Sequence, residues 1–85
     1  MKTFNQVILL GHLGRDAETK FTPGGDARTT FSIATNRRVK EGEGFREEVE
    51  WTNCVLWRHE AVSQYLVKGQ AVLVQGRMQT RIWER

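Results

Sequence analysis

Apolar residues in this chain recur mostly at every second position, the period of a β-strand. From Phe4 to Leu13 the run is apolar and β-branched with hardly a polar break, as in a strand covered on both faces. One face is expected to meet the core and the other a second subunit. From Arg28 to Val39 the alternation is regular, with Phe31 and Ile33 on one side and Thr30, Ser32 and Ala34 on the other, which predicts a half-buried strand. Glu48 to Trp57 alternates as well, so that Trp51, Asn53, Val55 and Trp57 share one face while Thr52, Cys54 and Leu56 share the other. Between these two segments lies a charged, glycine-bearing stretch, and the pair reads as a long hairpin whose solvated tip carries Phe45. The period changes in RHEAVSQYLVKG, where Ala61, Val62, Tyr65 and Leu66 mark a short amphipathic helix closed by Lys68 and Gly69. Alternation returns from Ala71 to Trp83. Val72, Val74, Gly76 and Met78 form a core-like face there, and Leu73, Gln75, Arg77, Gln79, Arg81 and Trp83 a basic and aromatic one.

The predicted order is strand, strand, strand, helix, strand, with turn signals at Pro23 to Asp26, Glu41 to Gly44 and Lys68-Gly69 and no internal repeat. A helix between the third and fourth predicted strands is the organisation of the OB-fold, a Greek-key β-barrel. The expected fold class is therefore all-β with one short helix, as a single OB-fold domain spanning residues 1–85. A domain of this size buries only about 60–65% of the surface its unfolded chain exposes, so some large apolar groups must stay accessible.

Composition narrows the function. With 39% hydrophobic and 27% charged residues and a single proline, the chain is of the globular class. Its N-terminal apolar run, Val7 to Leu10, is too short for a signal peptide or a membrane span, which predicts a cytoplasmic protein with no membrane partner. Cys54, the only cysteine, excludes an internal disulfide and reads as a packing residue. The net charge of +3 conceals an asymmetry: residues 40 to 50 hold five of the ten acids, leaving eleven bases against five acids elsewhere. Such a surplus suits a polyanionic partner such as nucleic acid, and also simple solubility.

The tryptophans separate those readings. Two indoles projecting from one strand face into so thin a core would overfill it, whereas the Cys54 and Leu56 side fits a narrow barrel interior. Outward-facing indoles beside Asn53, Arg77, Gln79 and Arg81 suit single-stranded nucleic acid, in which each unpaired base offers a π-face to stack on and each phosphate a charge for an arginine to pair. At ~3.3 Å per residue, Trp51 and Trp57 stand roughly 20 Å apart and would anchor a strand crossing the whole sheet.

Other motifs carry little. Gly11-His12-Leu13-Gly14 has the spacing of an RNA-binding GXXG loop but ends an apolar strand instead of joining two helices. Cys54, His12 and His59 lack metal-ligand spacing, and Glu47, Glu48 and Glu50 cluster in a charged hairpin with no pocket. No catalytic residue, metal site or cofactor is expected, and the chain does not read as an enzyme.

The blocks NQVILLGHLGRDAE, KFTPGG, FSIATN, EWTNCVLW and YLVKGQAVLVQGRMQTRIW, in this order and spacing, resemble the bacterial-type single-stranded DNA-binding proteins over almost the whole chain. The resemblance implies an OB-fold that assembles as a homo-oligomer, a dimer or tetramer built through the first strand. It also implies a nucleoid-associated protein that wraps single-stranded DNA during replication, recombination or repair. Carried over by position, it implies base stacking by Trp51, Trp57 and Trp83 and a phosphate contact from Lys68. With the bases and polar groups around them, the expected nucleic-acid-binding set is Trp51, Trp57, Trp83, Arg37, Arg38, Phe45, Asn53, Lys68, Arg77 and Arg81.

The sequence departs from that pattern in places. Val39 stands where a further stacking aromatic is common, and Thr52 where a histidine linked to tetramer contacts often occurs. The family also continues through a closing fifth strand and a flexible acidic tail that recruits replication proteins, whereas this sequence stops at Arg85. The expectation is an open barrel completed by a neighbouring chain, or a piece of a longer protein, without recruitment through such a tail. The competing function is an OB-fold adaptor of the primosomal type, acting mainly through protein contacts in replication restart.

Overall fold

The long alternating segment beginning at Ala27 becomes the spine of the sheet. A computed structural model describes residues 2–79 as β1 (Val7–Leu13), β2 (Glu18–Phe21), β3 (Ala27–Glu41), β4 (Gly44–Trp57), α1 (Glu60–Ser63) and β5 (Ala71–Gly76). One edge of β3 pairs without interruption with β4, from Arg28 opposite Trp57 to Glu41 opposite Gly44. Its other edge is shared by β2, through Ala27 to Thr30, and by β1, through Ile33 and Ala34. β5 lies antiparallel along β1. All pairings are antiparallel, and the sheet has the mixed-order path of an OB-fold with α1 between β4 and β5.

Two glycines shape this sheet. Glu41 faces Gly44 across a two-residue loop in which Gly42 has φ 60°, the first-position glycine that a type II′ hairpin turn requires. That turn sets the β3–β4 register, and with it the face on which every later side chain lies. At Gly11, any Cβ would run into the carbonyl oxygen of Ala34, so β1 and β3 approach this closely only because residue 11 has no side chain.

The core is thin. Leu13, Phe31, Ile33 and Leu66 are buried, with Leu9, Cys54, Leu56, Val72 and Val74 partly buried against them. The expected inward positions of β3, β4 and β5 are therefore the ones that pack. Thr29, the one buried polar residue among the described residues, shares a 2.8 Å hydroxyl–hydroxyl hydrogen bond with Thr19, so the cost of burying it is offset.

Four expectations need correction. Phe4 to Gln6 do not join the first strand, which begins at Val7. Glu18–Phe21 forms an additional strand, short and polar enough to carry no strand pattern of its own; pairing to β3 across the Pro23–Asp26 turn creates it. The helix shrinks to one turn. Ser63 and Gln64 donate side-chain hydrogen bonds to the carbonyls of Glu60 and Ala61, and the backbone continues in i to i−3 bonds that carry only Leu66 into the core. Finally, β5 ends at Gly76, which leaves Met78 exposed instead of core-facing.

A candidate nucleic-acid interface

Because β3 and β4 pair without a bulge, the pleat assigns their residues to two faces without ambiguity. The outer face carries, as directly opposed pairs, Arg28 with Trp57, Thr30 with Val55, Ser32 with Asn53, Ala34 with Trp51, Asn36 with Val49, Arg38 with Glu47 and Lys40 with Phe45. Trp51 is 59% exposed and Trp57 47%. Ala34 opposite Trp51, and Thr30 and Ser32 on the track between the rings, are small, so the indoles stand clear of the sheet. Between them the Ser32 hydroxyl donates to Asn53 Oδ1 at 2.8 Å, which fixes the amide between the two rings.

Trp51 rests on Gly14. A Cβ built on Gly14 would lie 2.5 Å from both Cη2 and Cζ3 of the indole, well inside normal carbon–carbon contact of about 3.5–4.0 Å. Gly14 is thus needed for space. On its other side Trp51 lines a groove with Leu10, Gly11, His12, Ala34, Asn36 and Val49. Lys68 is tied to the same region, its backbone N–H donating to Asp16 Oδ1 at 2.8 Å.

At the far end of the track, the Arg28 guanidinium lies 5.9 Å from the centre of the Trp57 ring, a cation–π contact that braces the indole. The next residue, Arg58, has φ 64° and is the one non-glycine residue with positive φ among the described residues. A side chain in this left-handed region costs roughly 1–2 kcal/mol. Arg58 also pairs with Asp26 at 3.3 Å, but both groups are largely exposed, and pairs of that kind contribute about 0–1 kcal/mol.

The hairpin divides its charges between its faces. On the face away from the tryptophans, Arg37 binds Glu48 at 3.0 Å and Glu50 at 2.8 Å, and Arg46 binds Glu48 at 2.9 Å and Glu41 at 2.8 Å. On the tryptophan face, Arg38 sits 4.6 Å from the Phe45 ring centre with Lys40 beside it. Of the residues singled out from sequence, the structure brings Trp51, Asn53, Trp57, Arg38 and Phe45 onto one face. Arg37 lies on the opposite one, and Arg77 follows β5, on the far side of β1. Trp83 and Arg81 lie outside the described residues. Sequence reasoning missed Arg28, Lys40, Gly14 and Arg58. The first two share the phase of Thr30 and Ser32 and were legible once the hairpin register was known; the other two had no sequence signal.

Outward indoles with arginines alongside on an open β-face form a platform for flat, negatively charged partners. Among the described residues no group of histidine, cysteine or acidic side chains is placed to hold a metal ion, and no helix is long and apolar enough to cross a membrane. The fold and face together are those of an OB-fold binding module.

The sequence profile of the single-strand binding protein family matches residues 4–85. The single-stranded DNA-binding protein of Treponema pallidum is 46% identical over 87 aligned positions, which cover all of this chain and 49% of that protein. Single-stranded DNA-binding protein 3 of Listeria innocua is 44% identical, covering 94% of this chain and 51% of the relative. Among solved structures, a Plasmodium falciparum SSB in complex with ssDNA superposes with a TM-score of 0.88 at 31% identity, covering all of this chain and 79% of that one. A deletion mutant of the single-stranded DNA-binding protein from Thermus aquaticus gives a TM-score of 0.85 at 30% identity, over 96% of this chain and 42% of that one. The chain belongs to the single-strand binding protein family, and it spans about half the length of the curated relatives it matches.

Proposed function

We propose that this chain binds single-stranded DNA without reading its sequence and protects it during replication, recombination or repair. The observation that carries the reading is the pair of indoles, Trp51 and Trp57, held outward on one strand face with small residues opposite Trp51 and along the track between them. Each stacked base contributes about 1–3 kcal/mol whatever its identity, so two platforms give sequence-tolerant affinity. Phe45 offers a third ring, and Asn53 a hydrogen-bonding group between the indoles. Arg38, Lys40 and Lys68 supply charge for phosphates, with Arg77, Arg81 and Trp83 extending the set. The names of the relatives, and the ssDNA bound to the Plasmodium falciparum neighbour, support the same partner. No step in this reading requires a cofactor or bond-making chemistry, so the activity is binding and not catalysis.

Self-association belongs to the same proposal. Leu10 and Leu73 face each other across β1 and β5 and are 70% and 68% exposed, with Ile8 next to them. An apolar stripe on a sheet this small is the surface through which a second copy adds to β1, giving a dimer or tetramer.

Titration with oligo-dT and with a duplex of equal length, followed by tryptophan fluorescence at low and high salt, tests the binding. Quenching by oligo-dT alone, weakened by salt, is the expected result. Absence of quenching, or equal quenching by duplex, refutes it. Sedimentation of the free protein above the monomer mass checks the assembly.

A further inference from the structure

Arg58 closes β4 in a conformation that glycine would adopt without conflict. Its N–H donates to the Ala27 carbonyl at 2.9 Å, and the chain leaves the sheet immediately after Trp57. A Cβ at φ 64° is strained, and the side chain returns little to the fold through one exposed pair with Asp26. What the conformation achieves is placement. Arg58 and Asp26 line a shallow pocket together with Trp57, and Arg28 lies over the same indole. Two guanidinium groups therefore flank one half-exposed ring. A nucleotide whose base stacks on Trp57 carries its phosphate to the side of the ring, and the guanidinium fork matches phosphate oxygens.

We propose that Arg58 is a phosphate-binding residue of a nucleotide subsite centred on Trp57, where Arg28 braces the indole and Asp26 holds the Arg58 fork while the site is empty. The inference rests on the single-stranded DNA reading above. A phosphate entering the subsite displaces the Asp26 carboxylate, so Asp26 competes with the ligand. Strain at residue 58 is then the structural counterpart of a binding role: the backbone is held where the side chain meets DNA, at the expense of local stability.

Arg58→Gly and Asp26→Asn, compared with the wild type by thermal melting and by oligo-dT titration across a salt series, test this. Failure of the wild type to bind oligo-dT sinks the underlying reading by itself. Given wild-type binding, Arg58→Gly melts at the same or a higher temperature and binds about three- to tenfold more weakly at low salt. Its plot of log affinity against log salt is shallower by about 0.7, one phosphate contact on a single strand. Asp26→Asn binds more tightly than wild type. The proposal is overturned if Arg58→Gly keeps wild-type affinity and slope, if it loses affinity only together with melting temperature, or if Asp26→Asn binds more weakly.

Discussion

Replacing Gly14 with alanine tests whether the Trp51 indole works from a fixed position. The new methyl would lie 2.5 Å from Cη2 and Cζ3 of the ring, so the two must separate by about 1 Å or more to reach ordinary contact. Overpacking in a closed core costs about 1–3 kcal/mol. Here the atoms struck are the far end of a side chain that is 59% exposed and has only Ala34 opposite it. The ring swings away, at an off-rotamer cost of about 0.5–1.5 kcal/mol. Gly14 does not have positive φ, so alanine fits the backbone and recovers about 0.4–1 kcal/mol by restricting the unfolded chain. These terms nearly cancel, and stability is expected to stay within about 1 kcal/mol of wild type.

Binding responds differently, because a displaced indole no longer meets the base it stacks. The loss is up to one stacking contact, about 1–3 kcal/mol, or about fivefold to a hundredfold in affinity for oligo-dT. A double-mutant cycle with Trp51→Ala isolates the cause: once the indole is gone, the methyl at residue 14 has nothing to push, and the second substitution should be silent. An equal loss from Gly14→Ala in the Trp51→Ala background would refute the mechanism. So would a large fall in melting temperature, since it would mean that the fold yields and not the ring.

Glu48→Gln with Glu50→Gln releases Arg37 and weakens the hold on Arg46. The expected outcome is an unchanged slope of log affinity against log salt, since these groups lie on the face away from the tryptophans, with a stability loss below about 1 kcal/mol; a steeper slope would show that this face also meets DNA. Ile33→Ala empties the centre of the core, since Ile33 is fully buried; a loss of about 2–5 kcal/mol in chemical denaturation is expected, and less than 1 kcal/mol would mean that the core is covered differently. Burial pushes the Cys54 thiol above its usual pKa, so the folded state favours the protonated form. That contribution to stability is complete below about pH 8.5 and is lost as pH rises towards the folded value, so wild type should lose more stability in alkali than Cys54→Ser, and its thiol should react slowly until denaturant is added.

How much of the fold was legible followed from burial. β3 and the second half of β4 alternate because one face packs on Phe31, Ile33, Cys54 and Leu56 and the other meets solvent, and that contrast is written in their side chains. β2 was invisible, since ETKF has no apolar face and exists as a strand only through the edge of β3. The helix was overestimated for the converse reason. Ala61, Val62, Tyr65 and Leu66 have helical spacing, yet only Leu66 finds a core to enter, and one anchored residue does not support further turns.

The site was legible up to the pleat and no further. Residues 40 to 50 hold five of the ten acids, which by composition makes them an acidic stretch. Pleating sorts those acids: Glu41, Glu48 and Glu50 fall on the face of Arg37 and Arg46 and are consumed in ion pairs there, while Glu47 is the one acid of the paired β3–β4 track on the tryptophan face, against Arg28, Arg38 and Lys40. Arg37 and Arg38 are neighbours in the chain, and their surroundings are opposite. Which of them is available to a phosphate depends on the phase of β3, and that phase is set at Gly42, the turn residue that fixes register for the whole hairpin. A one-residue slip there would turn both indoles inward and part Arg37 from Glu48 and Glu50, so the turn, at the opposite end of the hairpin from Trp57, decides which face of the hairpin is the binding face.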